Sequence, residues 1–129
     1  MARPVSKHPT ELELEILKIL WKEEPLSGRQ IRDRLEPVRD VTYTSVMTVL
    51  GIMEEKRYVG RKKVHGSFVY SARLTRKVAS RRMLRDLVDR VFGGSAATAM
   101  VNLLETSDVD SDELRQLREL IQRKAEAQS

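Results

Sequence analysis

Between Thr10 and Ala72 the chain carries three helix-start signals in succession and then a hairpin signal, an order that few small folds accommodate. Thr10 with Glu13, and Ser27 with Gln30, have the spacing of capping boxes, in which a hydroxyl and a carboxylate or amide satisfy backbone N–H groups left over at a helix start. Thr42 is the third start. Leu12, Ile16, Ile19 and Leu20 recur at i, i+4, i+7 and i+8, widened by Leu14, Leu17 and Trp21, and this predicts a helix over residues 10 to about 22. Ile31 and Leu35 give a short second helix that Pro37 stops near Glu36. Val46, Val49, Leu50 and Met53 predict a third helix over residues 42 to about 56. Residues 1–10, with Arg3, Pro4, Lys7 and Pro9, lack apolar periodicity and read as a loose basic arm.

Residues 58–64 and 67–72 are rich in β-branched and aromatic side chains and flank His65-Gly66, the signature of a β-hairpin. Helix, helix, helix, hairpin is the order of a winged helix, in which the third helix enters a DNA groove and the hairpin is the wing. A short strand over residues 37–41 would complete its sheet. Beyond Leu74 the chain reads as helical: Leu84, Leu87, Val88 and Val91 form a narrow apolar seam, Gly93-Gly94 breaks it, residues 95 to about 105 are apolar and Ala-rich, and Leu114, Leu117, Leu120 and Ile121 form a last stripe. These three helices either complete one monomeric core or form a dimer interface. Attached to a domain that is already complete, they make the dimer the more economical reading, and a two-fold axis would then match a pseudo-palindromic site. The expected fold is mainly α with a small β-hairpin: an N-terminal winged helix-turn-helix over residues 1–73 and a C-terminal three-helix dimerisation region over residues 74–129.

Composition narrows the function. The 129 residues carry a net charge of +5, and residues 1–73 hold 14 basic against 10 acidic side chains, so the excess is N-terminal and favours a polyanionic partner. Cysteine is absent, which removes disulfides, thiol catalysis and Cys-based metal sites and fits a reducing compartment. His8 and His65 are the only histidines, and neither belongs to a metalloprotease or zinc motif. Glycine-rich phosphate loops and nucleophile elbows are also missing, so an enzyme and a cofactor are not expected. The acidic group Glu105, Asp108, Asp110, Asp112 and Glu113 lacks the spacing and glycine of a calcium loop and reads as helix capping. The apolar runs are too short for a membrane span and the N-terminus has no signal core, so the expected location is the cytoplasm, without membrane insertion.

Chemistry concentrates on the third helix and the hairpin. Thr44, Thr48 and Gly51 face away from the apolar stripe, flanked by Ser45 and Met47, and with Thr42 they make a small, hydroxyl-rich face of poor helix propensity. These residues are either tolerated surface or a groove-reading face. Short side chains let the backbone approach the groove floor, hydroxyls meet phosphates or base edges, and threonine methyls touch thymine methyls. The basic hairpin directly after the helix favours the second reading. Arg61, Lys62 and Lys63 are either a solvated edge that resists aggregation or a wing that neutralises phosphates. His65 is a turn residue within reach of a phosphate. Tyr43 either stacks on or donates to the nucleic acid, or packs against the wing.

The segments Glu11-Leu12-Glu13-Leu14-Glu15-Ile16-Leu17-Lys18-Ile19-Leu20-Trp21, Val41-Thr42-Tyr43-Thr44-Ser45-Val46-Met47-Thr48-Val49-Leu50 and Val91-Phe92-Gly93-Gly94-Ser95, in this order, resemble the penicillinase repressor (BlaI/MecI) family over roughly residues 8–124. The resemblance implies a homodimeric winged-helix repressor that binds a palindromic double-stranded operator and silences β-lactam resistance or related envelope-stress genes. It also implies inactivation by proteolysis, triggered by a membrane-bound antibiotic sensor with a protease domain and falling at an Asn–Phe bond after the glycine break. The matching step is Asn102-Leu103, with Leu in place of Phe. Tyr43 and Thr44 stand where family members often carry Pro and Lys, which implies a shifted operator preference. Two other readings of the same fold are a protein-interaction module whose basic wing meets an acidic surface and a regulator that senses a small ligand.

Overall fold

The computed structural model describes residues 8–129. In chain order the elements are α1 (Glu11–Lys22), β1 (Leu26–Ser27), α2 (Gly28–Leu35), α3 (Tyr43–Glu55), β2 (Val59–Val64), β3 (Ser67–Ala72), α4 (Arg76–Val91), α5 (Ala96–Thr106) and α6 (Ser111–Ala127). The chain divides into two compact units, one ending at Asp86 and the other Leu87–Ser129, and the division falls inside α4.

In the first unit both capping boxes form. Thr10 Oγ1 accepts from Glu13 N and Thr10 N donates to Glu13 Oε1, and Ser27 and Gln30 repeat the exchange. Thr42 Oγ1 accepts from Ser45 N to open α3. Ile16, Leu17 and Leu20 of α1, Ile31 and Leu35 of α2, and Val46, Leu50 and Met53 of α3 are fully buried, so the three stripes meet in one core that Tyr58, Val59 and Tyr70 close from the hairpin.

The sheet order is β1-β3-β2, all antiparallel. The third strand is Leu26–Ser27, paired with Tyr70 and Val69, and not residues 37–41, which are turn and irregular chain. Leu26 is buried, and the two-residue strand leads straight into the Ser27 cap, so one short segment both closes the sheet and starts α2. The expected basic arm lies mostly outside the described residues. Its last part is not loose: Pro9 is buried and His8 Nε2 lies 2.9 Å from Asp86 Oδ2.

Trp21 holds the start of α4, and the residue just before it, against this unit. Trp21 Nε1 donates to Leu74 O at 2.8 Å, and the Arg76 guanidinium stacks 4.9 Å above the Trp21 ring. Thr75 Oγ1 caps α4 by accepting from Val78 N, and Ala79 is buried in the core. For this reason the compact unit runs past residue 73.

The second unit is built differently. Gly93 and Gly94, at φ +57° and +84°, end α4 in a conformation that a side chain would oppose. Ser95 caps α5, and Asp110 with Glu113 forms a capping box for α6. Hydrogen bonds from the backbone N–H groups of Glu113 and Asp112, and the Glu113 side chain, hold the Asp110 carboxyl below its ordinary range. Local signals therefore define these helices well. Packing does not: Ala99 is the only buried residue of the unit.

Candidate nucleic-acid interface

The N-terminal half of α3 presents Thr42, Tyr43, Thr44, Ser45 and Thr48 as exposed residues, because the helix buries Val46, Leu50 and Met53 on its other side. Their hydroxyls differ in what remains to offer. Thr42 Oγ1 is committed to the cap and to Ser45 Oγ at 2.9 Å. Thr48 Oγ1 donates back to Thr44 O at 3.0 Å, which leaves it acceptor lone pairs and a methyl group. Ser45 Oγ, accepting from Thr42, keeps its own proton to give. Among the described residues Thr44 makes no side-chain hydrogen bond, so its hydroxyl keeps both functions.

Met47 is placed apart from these five. It is half-buried against the core and lies over Gly28, where an added Cβ would run into its Sδ and come 3.4 Å from the Tyr43 ring. Gly28 thus allows the first turn of α2 to cross α3 closely. Tyr43 is 39% exposed, and the Arg29 guanidinium stacks 4.8 Å from its ring centroid. Of the alternatives for Tyr43, the structure places its ring against α2 and Arg29, not against the wing. Arg29, which the sequence reading left out, carries a positive charge beside the start of α3. The available signal was an arginine in the first turn after a Ser27 cap, where only packing could reveal its neighbour.

Gly51 is exposed on the same side as Thr44 and Thr48, and a Cβ there would meet nothing within 4 Å. Among the described residues nothing requires glycine at this helical position, although it costs about 1 kcal/mol relative to alanine.

The hairpin sorts its three cations. Arg61 and Lys63 alternate with Lys62 across the strand, so Arg61 and Lys63 share the face that begins with buried Val59. Arg61 Nε lies 3.2 Å from Glu54 Oε2 and its guanidinium stacks 4.2 Å over Phe68. Lys62 and Lys63 are exposed and without an ion pair among the described residues. His65 and Gly66 both have positive φ, +50° and +81°, as a two-residue hairpin turn of the right hand for twisted strands demands, and His65 stands exposed at its tip. Lys56, five residues before Arg61, is used internally: its Nζ lies 3.0 Å from both carboxylate oxygens of Glu13, which is only 2% exposed.

The residues expected at a dimer contact are also located. Leu84, Leu87 and Val91 on α4 are exposed, with Val88 half-buried, and Leu114, Leu117, Leu120 and Ile121 on α6 are between 40% and 58% exposed. Met100, Val101 and Leu104, in the segment read as apolar but not singled out in it, leave α5 with Leu103 apolar on its surface too. Asn102 and Leu103 lie inside α5, where Asn102 Nδ2 donates to Thr98 O at 2.9 Å.

Comparison with known proteins covers most of the chain. The methicillin resistance regulatory protein MecI of Mammaliicoccus sciuri is 22% identical over 112 residues, covering 87% of this chain and 91% of that protein. A penicillinase repressor of Staphylococcus aureus is 16% identical over 109 residues, covering 84% and 86% of the two chains. Among solved structures, the PcaV transcriptional regulator of Streptomyces coelicolor, in complex with its natural ligand, aligns with a TM-score of 0.47 at 17% identity, covering 97% of this chain and 80% of that one. The family model described as penicillinase repressor matches residues 9–123, from the buried Pro9 to the middle of the last helical turns, and the chain belongs to that family.

Proposed function

We propose that this protein is a homodimeric transcriptional repressor that binds a palindromic operator in the cytoplasm. Family membership supports the repressor role. The observation that carries the DNA-reading assignment is the exposed face of α3, where Thr44 and Thr48, flanked by Ser45, lie in line with a glycine that no contact among the described residues needs. On this reading α3 enters the major groove, and Gly51 allows close approach of the helix to the DNA. Thr44 and Ser45 donate to base edges or phosphates, and Thr48 accepts or offers its methyl. Thr42 and Tyr43 mark the entering end of the helix. Met47 acts by holding α2 against α3. Lys62, Lys63 and His65 meet phosphates beside the groove, with Arg61 as a partly neutralised neighbour.

Residues 1–73 do the reading on this proposal and residues 74–129 the pairing. A 17-residue helix such as α6, with no buried residue, gains little from local propensity alone. Leu114, Leu117, Leu120 and Ile121 of α6, with Leu84, Leu87, Val88 and Val91 of α4, find their cover in a second copy. Two linked reading heads hold a two-fold site with a gain of about 10²-fold or more from effective concentration. Proteolysis at Asn102-Leu103 by a sensor-linked protease would remove that gain. The bond sits in an 11-residue helix with one buried residue, so the local unwinding a protease requires has little packing to overcome. The regulated genes, by the same family reasoning, concern β-lactam resistance or envelope stress, and the protein acts by binding and not by catalysis.

Fluorescence anisotropy of the full chain on its own promoter DNA and on a scrambled duplex tests this reading. The expected result is tight binding confined to the promoter, with Thr44→Ala changing the preference among base-substituted sites by about 1–3 kcal/mol at the contacted pair. Equal, weak binding to both duplexes would contradict operator reading and favour a protein partner for the basic wing.

A further inference from the structure

We propose that a basic cleft at the base of the hairpin binds a small organic anion of the carboxylate or phosphate class, which acts as an effector. The effector role rests on the DNA reading proposed above, whereas anion binding itself does not. The cleft, of about 400 Å³, is lined by Lys56, Arg57, Arg73 and Arg82 around Tyr58 and Leu74, and no carboxylate lines it. That size suits a small metabolite. Lys56 is already engaged by Glu13, but Arg57, Arg73 and Arg82 have no ion pair among the described residues. Three arginines without an ion pair among the described residues border this concavity, Arg73 with its guanidinium over Gly60, and together they focus a positive potential that an anion relieves. Guanidinium also matches the geometry of a carboxylate or a phosphate.

Arg57 gives independent support. α3 closes with Arg57 N donating to Glu54 O and Tyr58 N to Met53 O, which places Arg57 at φ +65°, a position where glycine fits without strain. An arginine held in an unfavourable backbone conformation, with its side chain on the cleft, has a use that its fold does not supply.

The cleft lies away from the proposed DNA face. It sits where α3 ends and where β2 begins, whereas the wing turn is at the other end of β2, roughly 17 Å away at about 3.3 Å per residue. Thr42 is likewise a whole helix length from it. The same cleft includes Thr75 and Arg82, at the cap and in the body of α4. An anion seated there joins the end of the reading helix to α4.

Amide NMR titration of the full chain with inorganic phosphate and with citrate, at ionic strength held constant with chloride, tests the site. Saturable shifts centred on Arg57, Tyr58, Arg73 and Thr75 are expected, with whichever anion binds more tightly indicating phosphate or carboxylate preference. Arg57→Gly suits the backbone and keeps the fold, and it is expected to weaken anion binding at least tenfold, as is Arg82→Gln on the exposed side of α4. Absence of saturable shifts with both anions, unchanged affinity in both variants, or shifts centred on Lys62, Lys63 and Thr44 would overturn the site. Anisotropy with saturating anion then reads the effector role: operator affinity is expected to shift in the native chain and not in Arg57→Gly, whose anion-free DNA affinity is unchanged. Bound anion with no shift in operator affinity would overturn the effector role alone. Absence of operator binding by the native chain without any anion would overturn the repressor reading while leaving the NMR result standing.

Discussion

The two units of this chain bury their apolar residues on different terms. In the first, fourteen apolar side chains from three helices, three strands and the start of α4 form one shared cluster, most of them fully inaccessible. In the second, a single alanine is buried, while Leu87, Val91, Met100, Val101, Leu103, Leu104, Leu114, Leu117, Leu120 and Ile121 remain exposed. Both have well-capped helices, so local signals do not separate them. What separates them is where the stripes point. A capped amphipathic helix states that it needs a partner, and only tertiary structure shows whether the same chain supplies one.

The difference is sharpened most strongly by a core truncation. Leu50→Ala removes a fully buried side chain from the centre of α3 and is expected to cost about 2–5 kcal/mol, measured by urea denaturation of the first unit's transition, at any protein concentration. A cost that varied with concentration would mean that the first unit also depends on a partner.

Next in size is an electrostatic change confined to the first unit's surface. Lys62→Ala with Lys63→Ala is expected to leave stability unchanged, to weaken binding to every DNA alike, and to lower the slope of log affinity against log salt by about 2. Unchanged binding would remove the wing assignment. Gly51→Ala gives the smallest effect and the most diagnostic sign: it is expected to stabilise α3 by about 0.5–1 kcal/mol in thermal unfolding while reducing operator affinity. Equal or tighter binding would show that the helix does not approach DNA at this position.

Much of the fold was legible because its signals are local. The capping boxes at Thr10 and Ser27, the Thr42 start and the His65-Gly66 turn are each written within four residues, and each forms as read. The winged-helix order followed from them. The third strand was not legible in this way: Leu26–Ser27 is two residues long and is a strand only because Tyr70 and Val69, more than forty positions away, pair with it. The ion pair of Glu13 with Lys56 was hidden for the same reason. Glu13 reads correctly as a cap, but its burial and its cation come from α3 packing over the start of α1.

The candidate interface was legible as a set of residue types and not as a set of available groups. The sequence marks Arg61, Lys62 and Lys63 alike, while the fold engages Arg61 with Glu54 and Phe68 and leaves the two lysines without an ion pair among the described residues. It marks Met47 with the hydroxyl face, while the close crossing at Gly28 draws that side chain inward. Strand alternation and helix crossing decide such questions, and neither is visible in residue order.

Whether the second unit is covered by another copy of the same chain is measured directly by sedimentation equilibrium. At micromolar concentration the expected mass is twice the chain mass of 14.9 kDa, falling to the single-chain mass in the Leu117→Glu, Ile121→Glu variant. A native chain that sediments at 14.9 kDa up to about 100 μM, with the helices of the second unit intact by amide NMR, would contradict it.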